Sequence, residues 1–436
     1  MARKGWPQGA ADVWSWTNVP GGRPVEGFLK TISVSVGSAR AASVMRVLGA
    51  LAAALALAGC GPSGFGGPRG DLPAAPPQTQ APPSGPVAGQ TIGAGPVRVA
   101  LIAPLTQGSG PSVVGQSLRN AVELAVTETG VNDITVLVKD DQSTPDGARA
   151  ATQAALSEGA ELVIGPLFAG NVKEAGRVAR AAGKPVIAFS TDASAAARGV
   201  YLLSFMVESY VDRIVDYAAA RGKRSIAALI PENDYGNVAA GAFQTAAARA
   251  GLRVMAVERY RPGAVKDAAA RIGALGGQID SLFIPEQAEA MGAVARELAA
   301  ADIDPKRVQI LGTGLWNDAR VLKLPALQGA WFAAPENAGF NAFAQRYRAK
   351  FNSDPTRIAT LAFDATTLAI ALARSQGPQR YSEGVLTNPS GFNGADGVFR
   401  FRPDGANERG LSVLQIGNGT TTIVSPAPRS FSGNPS

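Results

Sequence analysis

The chain has 436 residues, 46% of them hydrophobic, and a formal net charge of +7 at pH 7. It has no histidine, which removes the commonest general base and metal ligand, and one cysteine, Cys60, which excludes a disulfide framework. The 59 residues before Cys60 carry +4 of the charge, and the remaining +3 is too mild to indicate nucleic-acid binding.

Residues 1–44 fit neither a domain nor a targeting segment. Trp6, Trp14 and Trp16 stand among glycines and prolines without helical or strand periodicity. Met45, by contrast, begins a compact secretory signal by itself. We therefore expect translation to start at Met45, so that residues 1–44 are a non-native or mis-called extension.

A lipid attachment site is predicted directly after this signal. Arg46 is followed by an apolar run at 47–56 and by Leu-Ala-Gly-Cys at 57–60. A basic residue, a short apolar run and small residues before a cut site are typical of a signal peptide, and the run is too short to span a bilayer permanently. The last four residues resemble the lipobox of bacterial lipoproteins, which implies removal of 45–59 and lipidation of Cys60. The alternative is an ordinary signal, or a buried apolar helix with a chance cysteine.

Residues 60–96 are predicted to form a tether. They are rich in proline, glycine, serine and glutamine, as in Ala-Pro-Pro-Ser-Gly-Pro at 81–86. Such a composition cannot bury enough apolar surface to offset the entropy of the chain. The last residues, 425–436, are expected to be a disordered tail for the same reason.

From residue 97 onward, short apolar strands alternate with amphipathic helices. The predicted strands are 97–102, 134–138, 161–164, 185–188, 225–230, 252–258, 281–284 and 308–311. The predicted helices between them are 115–129, 145–156, 171–182, 209–221, 237–250, 265–275 and 287–301. This alternation is typical of parallel sheets covered by helices on both faces. After residue 311 it breaks into two consecutive helices, 341–352 and 358–374, and a β-rich end with strands at 397–401 and 411–416.

Five short stretches carry a family resemblance over about residues 97–424. They are Ile-Gly-Pro-Leu at 164–167, Lys-Pro-Val-Ile-Ala-Phe-Ser-Thr at 184–191, Asn-Asp-Tyr-Gly at 233–236, Ala-Phe-Asp-Ala at 362–365, and the glycine- and phenylalanine-rich segment 391–405. Their order and spacing resemble type I periplasmic solute-binding proteins, in the leucine-, isoleucine- and valine-binding branch. The resemblance implies an α/β fold of two lobes, with two parallel doubly wound sheets joined by a three-strand hinge that closes over a ligand.

The same resemblance implies how the chain is divided between the lobes. Lobe one would contain about residues 97–204 and 335–390, and lobe two about residues 205–334 and 391–424. In this family the ligand carboxylate is met by hydroxyls and backbone N–H groups at helix N-termini of lobe one, where unpaired donors and the helix dipole favour anions.

The candidate ligand-binding residues are Ser190, Thr191, Tyr235, Trp316 and Asn317. Ser190 and Thr191 supply hydroxyls to a ligand or cap a turn. Tyr235 stacks on a ligand or is only an aromatic residue at the start of a helix. Trp316 packs within a loop or lines the cleft, and the cleft is preferred because strand ends of open α/β sheets face the crevice.

Two departures from the family argue against a free α-amino acid as ligand. Amino-acid receptors begin their third helix with Ser or Thr, whereas this chain has Phe-Ala-Gly-Asn at 168–171, and Asp192 follows the neighbouring hydroxyls. The family's acid that pairs with the ligand ammonium is replaced by Thr-Gly-Leu-Trp-Asn at 313–317. A buried ammonium without a counter-charge is costly.

Catalysis, cofactors and metal ions are not predicted. The chain has no Lys-Ser/Thr phosphate loop, no full dinucleotide fingerprint and no Gly-x-Ser-x-Gly turn with a histidine to serve it. We therefore expect a non-enzymatic protein without a cofactor. The sequence leaves one enzymatic alternative, a hydrolase with paired carboxylates, although no pattern selects the pair.

Two functions remain after these exclusions. The stretch at 312–318 and the lipobox resemble lipoproteins known as penicillin-binding-protein activators, which stimulate a peptidoglycan synthase. The main prediction is a cell-envelope regulator of this kind, lipid-anchored on the periplasmic side, with the outer membrane favoured because Gly61 rather than Asp follows Cys60. The alternative is the substrate-binding subunit of an ABC importer for amino acids or a related small solute.

Overall fold

The computed structural model describes residues 90–129 and 132–431. The predicted extension 1–44, the signal peptide 45–59, Cys60 and most of the tether lie outside the described residues, as does the end of the tail after residue 431.

The described chain alternates strands and helices. The strands are β1 Gln90–Ile92, β2 Val97–Ala103, β3 Thr106–Gln107, β4 Gly110–Pro111, β5 Ile134–Asp140, β6 Leu162–Ile164, β7 Val186–Ala188, β8 Val200–Leu202, β9 Ser225–Pro231, β10 Arg253–Tyr260, β11 Ser281–Phe283, β12 Gln309–Gly312, β13 Trp331–Ala334, β14 Phe392–Gly394, β15 Gly397–Phe401, β16 Asn407–Arg409, β17 Ser412–Gly417 and β18 Thr420–Ser425. The helices are α1 Val113–Thr129, α2 Pro145–Ser157, α3 Ala169–Ala181, α4 Val207–Ala220, α5 Asp234–Arg249, α6 Lys266–Gly273, α7 Ala288–Ala300, α8 Ala319–Leu322, α9 Asn337–Phe351, α10 Ala359–Ser375 and α11 Glu383–Leu386.

The first lobe is built on a six-stranded sheet in the order β1-β5-β2-β6-β7-β8. Its strands are parallel except β1, which pairs antiparallel with β5. Side chains alternate along β2: Val99 and Leu101 pack with α1, whereas Ala100 and Ile102 pack with α2 and α3. The sheet is therefore buried on both faces, as its largely apolar strands predict.

The second lobe is built on a seven-stranded sheet in the order β10-β9-β11-β12-β13-β17-β18. Its first five strands are parallel, and β17 and β18 add antiparallel edges. Along β9, Ile226 and Ala228 face the helices α4 and α5, whereas Ala227 and Leu229 face α6 and α7. The predicted two-lobed α/β fold is confirmed, with mixed rather than wholly parallel sheets, because short returning strands complete the sheet edges.

Three segments cross between the lobes. They are residues 203–206 between β8 and α4, 335–336 between β13 and α9, and 410–411 between β16 and β17. The sequence predicts this number of crossings, but it misplaces the last one.

The small sheet β14-β15-β16 packs on the first lobe, whereas the sequence assigned residues 391–411 to the second. The backbone N–H of Leu202 on the edge strand β8 donates to the carbonyl of Gly405 (2.8 Å). The Asn407 amide donates to the carbonyl of Ser204 (3.0 Å). The hairpin thus covers an open sheet edge, and the chain enters the second lobe only after Arg409.

The folded domain also begins earlier than the predicted residue 97. Residues 90–92, which the sequence placed in the tether, form β1 and pair with Val136 to Val138 of β5. Ile92 is buried there. Within the described ranges, no helix is both long enough and apolar enough to cross a membrane.

Candidate functional site

The candidate ligand-binding residues follow strands of both large sheets. Ser190 and Thr191 follow β7 in the first lobe. Tyr235 begins α5 after β9, and Trp316 and Asn317 follow β12, in the second lobe. The carboxyl ends of parallel strands in open α/β sheets form the ligand crevice, so the prediction places all five near one candidate cleft.

The start of α5 fixes the position of Tyr235. The side chain of Asn233 caps the helix by accepting a hydrogen bond from the Gly236 N–H (2.7 Å). A Cβ on Gly236 would lie 2.0 Å from the Pro231 carbonyl oxygen, so only glycine allows the helix to start this close to β9. The Tyr-Gly pair is therefore a structural requirement of this turn.

Tyr235 is held by Thr313, which follows β12, the second strand along the sheet from β9. Its hydroxyl donates to Oγ1 of Thr313 at 2.9 Å, and Thr313 is fully buried. Burial raises the pKa of Tyr235 well above its usual range. The side chain therefore acts as a neutral, half-buried ring with a fixed orientation.

Ser190 caps its own turn. Its hydroxyl accepts a hydrogen bond from the Asp192 N–H (3.1 Å), and only 4% of the residue is exposed. Thr191 is exposed beside it. Asp192 in turn accepts a hydrogen bond from the Ser194 N–H (2.9 Å), and Ser194 is the main cause of a lowered pKa for Asp192. The first-lobe turn therefore presents an ionised carboxylate next to the hydroxyl of Thr191.

Trp316 lies in the second-lobe core, where the sequence preferred a cleft position. It is fully buried and packs against Phe332, with 6.5 Å between ring centroids. The short 3-10 helix Gly314–Trp316 turns the indole back onto β12, and a Cβ on Gly312 would lie only 2.2 Å from the ring. The chain direction after the strand, which the sequence does not specify, decides where this side chain points.

Asn317 joins the second lobe to the beginning of a first-lobe helix. Its amide donates to Oδ1 of Asn337 at 2.6 Å, and the Asn337 amide donates back to Oδ1 of Asn317 at 3.2 Å. Asn337 is the first residue of α9, directly after the crossing at 335–336. Both amides are thus engaged with each other at the lobe junction.

The N-terminus of α3 lacks the hydroxyl that amino-acid receptors of the family provide. Phe168 occupies the N-cap position, with no capping hydrogen bond from its side chain. Behind it, Asp141 and Asn171 are buried together. Burial raises the pKa of Asp141, and the neighbouring Asn171 amide offsets part of that rise. The first turn of α3 therefore offers a carboxylate its backbone N–H groups but no hydroxyl from the N-cap residue.

Asp140 organises the rim of the first lobe. Its carboxylate accepts hydrogen bonds from the backbone N–H groups of Leu105 (3.0 Å), Thr106 (3.2 Å) and Gln142 (2.8 Å), and from the Thr106 hydroxyl (2.7 Å). An open groove of about 550 Å³ lies here, lined by Thr106, Gly108, Ser109, Asp140, Gln142 and Thr144. In the part of the chain that the structure describes, no group of three or more acidic, histidine or cysteine side chains could hold a metal ion.

Two glutamates have buried carboxyl groups that their sequence pattern did not single out. Glu286 is 4% exposed and accepts hydrogen bonds from the Tyr260 hydroxyl (2.5 Å) and the Gln287 N–H (2.7 Å). Glu208, in the first turn of α4, has a buried Oε2 that receives no hydrogen bond from any described residue. Burial is the main cause of its raised pKa, and Asp192 of the first lobe adds to it.

The family model described as periplasmic binding protein matches residues 96–421. A search of curated protein sequences finds no match.

Three solved structures illustrate the similarity of fold. A structure attributed to a branched-chain amino acid ABC transporter from Rhodospirillum rubrum has 17% identity and a TM-score of 0.67, covering 75% of this chain and 99% of that one. An ABC transporter substrate-binding protein from Desulfitobacterium hafniense in complex with Leu has 18% identity and a TM-score of 0.56, covering 75% and 99%. An ABC transporter solute-binding protein from Rhodopseudomonas palustris in complex with 3,4-dihydroxybenzoic acid has 18% identity and a TM-score of 0.54, covering 76% and 98%.

Proposed function

This chain belongs to the periplasmic binding protein family, and from that membership we propose that it captures a small solute between its two lobes. The family consists of binding proteins, so the chain is a non-catalytic protein, as its sequence predicts. The observation that carries the proposal is that candidate residues follow strands of both large sheets, and that the ring of one of them, Tyr235, is fixed by Thr313 (2.9 Å).

The proposed role of the captured solute is delivery to an ABC importer. The solved structures of similar fold include solute-binding proteins of such transporters, and they favour this role over regulation of a peptidoglycan synthase. The resemblance to penicillin-binding-protein activators depended largely on the loop around Trp316. Because Trp316 is a core residue, that loop offers no exposed tryptophan to a partner protein.

The chemistry of the cleft favours a ligand that is neutral or cationic where it meets the first lobe. The N-terminus of α3 has Ala169 in place of a hydroxyl residue, and Asp192 is ionised beside Thr191. The Asp192 carboxylate would repel an anionic ligand here, so a benzoate-type acid fits this cleft less well than an uncharged or amine-bearing solute.

Thermal unfolding of the full-length protein tests this function. A ligand that binds only the folded state stabilises it by RT ln(1 + [L]/Kd), about 2.7 kcal/mol at a hundredfold excess over Kd. We expect a higher melting temperature with an amine or an uncharged solute that has no carboxylate, and none with benzoate. Tyr235→Phe should reduce the effect, whereas Tyr381→Phe, which loses a hydroxyl bonded to the Ala369 carbonyl in the first lobe, should not.

The other outcomes separate the two functions. A shift produced only by a cell-wall fragment or by a penicillin-binding protein would support the envelope regulator and contradict the importer subunit. No shift with any of these compounds would contradict solute capture itself.

We also propose that Cys60 is lipidated and tethers the domain to a membrane. The support is the Leu-Ala-Gly-Cys sequence at 57–60, followed by a proline-rich stretch. Mass spectrometry of the membrane fraction should find an acylated N-terminal Cys60, and Cys60→Ala should accumulate as precursor. An unmodified mature N-terminus at another residue would contradict this anchor.

A further inference from the structure

The residues that follow the last strand run from the second lobe back to the first. The strand β18 ends at Ser425, because Pro426 has no N–H group to continue the ladder. Residues 426–431, which the sequence assigned to the tail, come next, and we name them the strap. Pro426 and Pro428 favour an extended backbone, so little conformational entropy is lost when the strap is ordered against the protein.

The beginning of the strap is held by the second lobe. Nη2 of Arg213, on α4, donates to Oγ of Ser425 (2.6 Å) and to the carbonyl of Pro426 (3.5 Å). Nε of the same guanidinium donates to the carbonyl of Leu411 (2.8 Å), in the crossing after β16. Arg213 therefore fixes the start of the strap to a helix of the second lobe and to one of the crossings.

The middle of the strap lies against two of the crossings. The Ala427 N–H donates to Oε1 of Glu336, in the crossing after β13 (3.4 Å). Pro428 packs on Gly410, in the crossing after β16, where a Cβ would lie only 3.0 Å from the Pro428 carbonyl oxygen. The strap therefore runs beside the segments about which the lobes would rotate.

The end of the strap is held by the first lobe. The ring centroid of Phe431 lies 4.6 Å from the guanidinium carbon of Arg400, on β15. Arg400 is itself fixed by two hydrogen bonds to Glu408, at 2.5 and 2.8 Å. The Phe431 ring also packs on Gly391, where a Cβ would lie 2.8 Å from it. Because β15 belongs to the small sheet on the first lobe, the two ends of the strap are bound to different lobes.

We propose that the strap is a fourth, non-covalent connection between the lobes, and that it stabilises the lobe orientation described here until Phe431 detaches from Arg400. Rotation of one lobe relative to the other must stretch the strap or release one of its ends. An extended, proline-containing segment is semi-rigid and has little slack, so rotation favours release. The strap thereby sets the fraction of the protein whose lobes are free to move. This inference rests on the proposed function, because lobe movement accompanies solute capture in that proposal.

Distances between two spin labels in the ligand-free, full-length protein test the strap. With Cys60→Ser as background, Val113→Cys in the first lobe and Val254→Cys in the second give exposed labelling sites (74% and 40% exposed). A chain that ends at Ser425 lacks the strap, and we expect its distribution of distances between the lobes to be broader. Phe431→Ala removes the cation–π contact and should raise the population outside the main distance by about two- to fivefold.

Two controls assign this change to the strap. A chain that ends at Phe431 keeps the strap and should give the same distribution as the full-length protein. A second label pair, Val113→Cys and Ala182→Cys, lies within the first lobe at exposed positions. Its distance should stay the same in every variant, which separates movement of whole lobes from local unfolding.

Three results would overturn the strap. The first is an unchanged distribution between the lobes in Phe431→Ala and in the chain that ends at Ser425; if the shortened chain folds poorly by circular dichroism, Phe431→Ala decides alone. The second is equal broadening in the chain that ends at Phe431. The third is equal broadening of the label pair within the first lobe. None of these measurements uses a ligand, so failure of the strap is distinguishable from failure of solute capture.

Discussion

At the scale of single residues, Gly312 and Trp316 account for the main difference between the expected and observed site. The sequence places Trp316 after a strand, where cleft residues are common. The structure instead buries its indole against Gly312, because residue 312 has no Cβ to obstruct the ring. A tryptophan and a glycine four residues apart do not reveal this contact, since it depends on the turn between them.

Because of this contact, replacing Gly312 with alanine should strongly lower the free energy of unfolding. Gly312→Ala places a methyl group 2.2 Å from the Trp316 ring, and overpacking of a buried site should lower the free energy of unfolding by about 3 kcal/mol. Urea unfolding followed by tryptophan fluorescence measures the loss. Gly292→Ala in α7, where a Cβ meets no atom within 4 Å, is the control and should stabilise by about 0.5–1 kcal/mol. Equal effects of the two substitutions would contradict the packing argument.

Replacement of Glu208 should stabilise the protein, and the size of this gain should depend on pH. Burial raises its pKa in the folded state, so the folded protein binds more protons at this site than the unfolded chain. Its destabilising effect is therefore absent at low pH and fully present above the folded-state pKa. Glu208→Gln should raise the melting temperature at pH 8 and have little effect near pH 4. A larger gain at pH 4 than at pH 8 would show that the carboxyl group is not the cause.

At the scale of elements, the N-cap of α5 links stability to the candidate site. Asn233→Ala removes the hydrogen bond to the Gly236 N–H (2.7 Å) and should lower the free energy of unfolding by about 1 kcal/mol. Thr144→Ala removes the equivalent bond to the Gly147 N–H (3.0 Å) at the start of α2 and should cost about the same.

Ligand binding should separate these two cap variants. The frayed first turn of α5 carries Tyr235, so Asn233→Ala should also weaken the thermal shift produced by a ligand. Thr144→Ala should leave that shift unchanged. A loss of the shift in both variants would mean that the effect comes from stability alone.

The regular elements could be predicted because their hydrophobic patterns are strong, and the irregular ones could not. The buried strands β2, β5 and β9 are rich in apolar residues, and α4 and α5 are amphipathic. The strand β13 was missed, because Trp331–Ala334 is only four residues long and does not alternate. Its pairing with β12 and β17 defines it as a strand, and such pairing is a tertiary property.

At the scale of the whole molecule, the resemblance carried by short motifs was sufficient to predict the two-lobed fold. It was less reliable at the boundaries between lobes and at the candidate site. Residues 391–411 were assigned to the wrong lobe because a hairpin sequence does not state which sheet edge it covers, and the bond from Leu202 to Gly405 is long-range. Similarly, the strand order places Ser190 and Tyr235 at strand ends, but the hydrogen bonds that occupy them depend on tertiary contacts.

The N-terminal strand β1 should contribute to the stability of the folded domain. A protein that begins at residue 97 lacks β1, exposes the edge of β5 and loses the burial of Ile92. We expect it to be less stable than a protein that begins at residue 88 by about 2 kcal/mol, the contribution of one buried isoleucine. Comparison of their urea midpoints measures the difference. Identical midpoints would show that β1 contributes nothing to the fold.

The three crossings have a consequence for how the protein is made. The first lobe needs α9, α10 and β16, which are translated after nearly all of the second lobe. The second lobe needs β17 and β18, which come at the end of the chain. During synthesis both lobes therefore stay incomplete, each with an uncovered sheet edge, until almost the whole chain has emerged from the ribosome. A nascent chain of this kind depends on protection from aggregation, and a stop codon as late as residue 405 would leave both lobes unfinished.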